Sequence, residues 1–136
     1  MSTLAVGTIK SVSSAAPVFQ NTSGTEIGQI CKSWINFNGT STVAIRDSFN
    51  VSSLTDNGTG NYTVSFSTAM ANTNYAPLTT GHIFTDSNPE NVRDMAAQDL
   101  ATGSYRYCAG YTTGNLQDSA NCFGAVFGDY LCQHLK

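Results

Sequence analysis

Charge is what this chain has least of. Charged residues make up 11% of its 136 residues, less than half the share usual in globular chains. The six basic residues, Lys10, Lys32, Arg46, Arg93, Arg106 and Lys136, are scattered, and the net charge is -3. A nucleic-acid binder displaces counterions with a basic stripe, and none can be drawn here. Long apolar runs are missing too, so no membrane-inserting segment is expected. The first ten residues, MSTLAVGTIK, lack a basic flank and an apolar stretch of signal-peptide length, so cytoplasmic synthesis is expected.

Chemistry-bearing constellations are equally sparse. There are two histidines, His82 and His134, and neither has a ligand-spaced neighbour. Cys31, Cys108, Cys122 and Cys132 show no CxxC spacing, so buried free thiols are expected in place of a zinc site. Asp86 with Glu90, or Asp94 with Asp99, are candidate carboxylate pairs for glycoside cleavage, and each reads more simply as solvated loop or helix-end charge. No nucleophile elbow, Walker loop or dinucleotide fingerprint occurs. The reading is a non-enzyme without cofactor or metal. Five N-x-S/T triplets begin at Asn21, Asn38, Asn50, Asn57 and Asn61, as chance allows in so Asn- and Thr-rich a chain.

What is abundant is uncharged polarity: 15 Ser, 17 Thr and 12 Asn, beside seven Phe, six Tyr and one Trp. Disorder needs high net charge and few aromatics, so the chain is expected to fold. The composition favours strands. Residues 1–30 are weakly patterned and read as an extended arm, with Leu4, Val6, Ile9, Val18 and Phe19 as apolar anchors. From Cys31 the alternation sharpens. Ile35 and Phe37 share one face, and Trp34 and Asn36 the other. Asn38-Gly39 is expected to turn with positive backbone angles. In Val43–Phe49, the residues Val43, Ile45 and Phe49 read as one apolar face, with Asp47 its one polar member. Val51–Thr55 and Tyr62–Thr68 flank Asp56-Asn57-Gly58 as a hairpin. Further strands are expected at Tyr75–Phe84, Ser104–Thr113 and Asn121–Phe127. Asn88–Leu100 reads as a short helix or a bulged loop, with Asn88 as cap and Pro89 in first position. Trp34, Tyr62 and Phe66 are expected mostly in the core. Tyr105, Tyr107 and Tyr111 share a strand face and read as core or subunit interface, with a receptor contact as the functional alternative. Together these predict an all-β protein, a small antiparallel β-sandwich of jelly-roll type over 31–129, with an arm before it and a C-terminal tail over 130–136.

One stretch resembles a known family. Trp34–Gly39 (WINFNG), Ser48–Ser53 (SFNVSS), Asp56–Gly60 (DNGTG) and Tyr62–Phe66 (YTVSF) lie within Thr25–Ala76. That stretch resembles a module of tail-fibre-like structural proteins of marine bacteriophages, including those of cyanobacteria. Gly7–Lys10 and Pro17–Gly28 resemble the arm that leads into it, and Ala125–Asp129 resembles its closing strand. The resemblance implies a virion component made in the host cytoplasm. It implies a homotrimer that binds neighbouring virion proteins and a host-surface glycan or protein. The tail Tyr130–Lys136 departs from the pattern and leaves a second expectation, a capsid decoration or tail-connecting protein.

Overall fold

The structure is a computed structural model that describes residues 5–10, 17–82, 93–111 and 114–129. It divides into two units, Met1–Ile30 and Cys31–Lys136. In the first, β1 (Phe19–Gln20) and β2 (Glu26–Gly28) form a two-stranded antiparallel hairpin, where sequence suggested only an extended arm. Asn21 closes its turn: its side-chain oxygen accepts from the Ser23 and Thr25 amides at 3.0 and 2.9 Å. Val6, Ile9, Val18 and Phe19 are exposed; Leu4 lies outside the described residues. A lone two-stranded ribbon is marginal in water.

Among the described residues the second unit holds eight strands. They are β3 (Ser33–Asn38), β4 (Ala44–Phe49), β5 (Val51–Asp56), β6 (Asn61–Phe66), β7 (Ala76–His82), β8 (Arg93–Ala101), β9 (Ser104–Tyr111) and β10 (Asn121–Phe127). They form two four-stranded antiparallel sheets, ordered β4-β3-β10-β7 and β5-β6-β9-β8. The expected hairpin forms as β5–β6, with Gly58 and Gly60 at φ 112° and 64° in its turn. The chain passes from the first sheet to the second at Asn50, a left-handed residue with φ 55°. Its side chain holds the corner, donating to the Lys32 and Thr68 carbonyls and accepting from the Thr68 amide.

The core between the sheets is largely aromatic. Phe37 packs edge-on against Tyr62 and Tyr107, both at 5.1 Å between ring centres. Phe66 packs against Tyr75 at 5.7 Å and Tyr105 at 5.8 Å. A buried phenol must find a partner for its hydroxyl. Tyr107, on β9, donates across the sandwich to the Thr80 carbonyl of β7 at 2.7 Å. Tyr62, on β6, donates to the Gly39 carbonyl at 2.6 Å, with the Asp118 carboxylate 2.9 Å away. The tyrosines are therefore rungs that pin one sheet to the other. Gly124 makes room for one of them: a Cβ there would lie 2.4 Å from the Tyr105 hydroxyl.

Four expectations need correction. Residues 93–101 are a strand, β8, and not a helix; 83–92 lie outside the described residues. Pairing with β9 along its whole length, and packing of Met95, Ala97 and Leu100 against the core, override the helix-forming composition. The Asn38–Val43 turn places its positive φ at Ser41, while the Asn38 side chain donates to the Thr40 and Thr42 carbonyls. In β4 the register shifts by one residue between Asn36 and Phe37 of its partner strand. That bulge exchanges the two faces, so Asp47 pairs with Asn36, and Phe49 with Trp34, on the outside of the sheet. Trp34 is accordingly not in the core.

Each edge strand of the two four-stranded sheets carries one interruption. β4, β5 and β8 each carry a one-residue register shift. β7 carries Pro77, which has no amide to offer. Bulges and proline are the devices by which edge strands are kept from pairing with another chain.

Candidate contact face

Residues directly opposite in antiparallel strands project to the same side of a sheet. Reading across the first sheet from β7 to β4, one register row is Leu78–Ala125–Trp34–Phe49. It points away from the core, whose members on β3 and β10 are the alternate residues Ile35, Phe37, Cys122 and Val126. Leu78 is 59% exposed, Phe49 51%, Phe123 38% and Trp34 37%. The next row is Thr80–Phe123–Asn36–Asp47. Arg46, the extra residue of the bulge, donates to the Asn36 side chain and to the Phe37 and Ala120 carbonyls. The result is an apolar strip across four strands, bordered by hydrogen-bonded polar groups. Burying a row of Trp, Phe and Leu releases about 25 cal/mol per Å² of apolar surface, so the strip favours a partner over water.

The second sheet is the opposite. Its outer rows read Ser53–Ser65–Ser104–Ala101 and Thr55–Thr63–Arg106–Gln98. Arg106 bridges Asp99 at 2.8 Å and donates to Gln98 at 3.1 Å. Asn61 Oδ1 and Arg106 Nε are buried there without a hydrogen-bond partner.

The tyrosines singled out by sequence do not form a surface. Tyr105 and Tyr107 are fully buried, and burial pushes both phenols above their ordinary pKa of 10.0. As a receptor contact they are withdrawn, because their rings fill the interior and the Tyr107 hydroxyl is taken by Thr80. Tyr111, at the end of β9, is half-buried. Cys108 and Cys122 are buried free thiols and Cys31 is half-buried; Cys132 and His134 lie outside the described residues. Burial pushes the Cys122 thiol up to about 11. Among the described residues no group of three or more His, Cys, Asp or Glu is placed to hold a metal ion. Asp94 and Asp99 stand five positions apart on β8, and Asp99 is paired with Arg106. A regular strand rises roughly 16 Å over that interval, too far for a retaining or inverting pair. Asp86 and Glu90 lie outside the described residues.

The strip carried one sequence signal. Asn121–Phe127 (NCFGAVF) is apolar at both alternate sets of positions, the mark of a strand covered on both faces. Comparison of the chain with protein-family models, with curated proteins and with solved structures finds no match.

Proposed function

We propose that this chain is a non-enzymatic structural protein of a bacteriophage virion, a small fibre or knob that contributes to host-surface attachment and works by contact. The observation that carries the contact role is the row Leu78–Ala125–Trp34–Phe49, an apolar strip on a sheet whose opposite side is already filled by core. The resemblance of Thr25–Ala76 supplies the particle. A second reading, a capsid-decorating or tail-connecting part with no receptor, is favoured by the interior position of Tyr105 and Tyr107, which takes the read receptor residues off the surface.

Quantitative mass spectrometry and immunogold labelling of purified particles test both. A low copy number confined to the tail supports the fibre, and a high copy number over the shell supports decoration. Absence of the protein from purified particles overturns both.

A further inference from the structure

We infer that the apolar strip is a homotypic interface: the outer face of the β4-β3-β10-β7 sheet packs against the same face of a second copy, related by a twofold axis parallel to the strands. This deepens the contact role proposed above and rests on it.

Three observations lead there. Each of the four edge strands carries a bulge or, in β7, Pro77, devices that disfavour strand addition, whereas the face carries no such guard. The row is also complementary to its own reverse. With the axis between β3 and β10, β3 of one copy lies over β10 of the other, and β4 over β7. Trp34 then stands above Ala125, the one small residue of the row, and Phe49 stands above Leu78. A bump meets a gap twice, by symmetry. In the neighbouring row Thr80 meets Asp47, a donor against an acceptor, and Phe123 meets Asn36, whose side-chain oxygen is already held by Arg46, so no like charges are opposed. Packed sheets hold their strands within about 30°, so the central Trp34–Ala125 pair stays aligned while the corners diverge.

Size sets the strength. Four strands about 4.8 Å apart and six residues long give a face of roughly 400 Å², or about 800 Å² over two copies. That is below the roughly 1,200–2,000 Å² of standard stable interfaces, so the pair is a weak and reversible one. A pair, and not the homotrimer implied by the resemblance, is the species expected for the isolated protein.

Sedimentation equilibrium of the full-length chain tests this. The wild type is expected to be a reversible dimer. Trp34→Ala should weaken it at least tenfold, and Ala125→Trp should abolish it. The double variant Trp34→Ala/Ala125→Trp exchanges bump and gap and should recover affinity to within about tenfold of wild type. Should Ala125→Trp fold poorly by circular dichroism, Phe49→Lys and Leu78→Glu replace it: each alone dissociates the pair, and both in one chain restore it. A wild type that stays monomeric at about 200 µM, a trimer, or doubles no tighter than their singles overturns the inference. A monomer that is nonetheless found on particles overturns the inference alone. A dimer that is absent from particles overturns only the proposed function.

Discussion

The two outer faces of the sandwich use the same backbone and opposite chemistry. On the β5-β6-β9-β8 side, Ser, Thr, Gln and Arg stand in register and are tied by Arg106 to Gln98 and Asp99. On the β4-β3-β10-β7 side, Leu78, Trp34, Phe49 and Phe123 stand exposed. Water is a good solvent for the first and a poor one for the second. The difference separates the residues that hold the fold together from the apolar ones that stay exposed. Inward positions hold the sheets together, while the outward positions of one sheet leave large apolar side chains in water.

The largest expected effect comes from charging the interior while leaving both faces alone. Burial raises the phenols of Tyr62, Tyr105 and Tyr107 above 10.0 and the Cys122 thiol from 9.0 to about 11. The folded state therefore keeps protons that the unfolded chain gives up. Stability is full below about pH 9 and falls as pH rises, by about 1.4 kcal/mol per unit for each shifted group. Thermal melts should be level from neutrality to pH 9 and collapse by about pH 11; a level profile to pH 11 would show that the tyrosines are not desolvated.

Next comes a direct comparison of aromatics. Tyr107→Ala should cost about 3–5 kcal/mol in urea denaturation, and Trp34→Ala within about 1 kcal/mol at concentrations where the chain is monomeric. Equal costs would mean that Trp34 belongs to the interior and that the strip is not a free face. Tyr107→Phe keeps the ring and orphans the Thr80 carbonyl, so about 1–2 kcal/mol is expected.

The smallest effect sharpens the comparison most. Ser65→Lys on the polar side and Phe123→Lys on the apolar side should each change stability by no more than about 0.5 kcal/mol. Only Phe123→Lys should lower binding of a hydrophobic dye. A similar loss for both would erase the distinction between the faces.

Much of the sandwich was legible from period-two alternation. The strands containing Ile35 and Phe37, Tyr62, Val64 and Phe66, and Cys122 and Val126 were readable because their inward residues are large and regularly spaced. The β8 strand was not, because Met95, Ala96 and Ala97 suit a helix locally and only pairing with β9 decides the matter. The contact strip was half visible, in the doubly apolar β10. Its other half was hidden by the β4 bulge, which no local pattern announces. Tyr105 and Tyr107 were placed on one face correctly, but sequence cannot say which face has a carbonyl waiting for the hydroxyl.

The bulge at Arg46 carries a lesson about how such a surface could arise. Beyond it Phe49 faces outward and Ser48 inward. Without Arg46 the pairs Phe49–Trp34, Ser48–Ile35, Asp47–Asn36 and Ile45–Phe37 would follow one another as a regular ladder, with Phe49 still outward. The spare residue is stored where it sets Ile45 and Phe49 on opposite faces, and its guanidinium clips β4 to Asn36, Phe37 and Ala120.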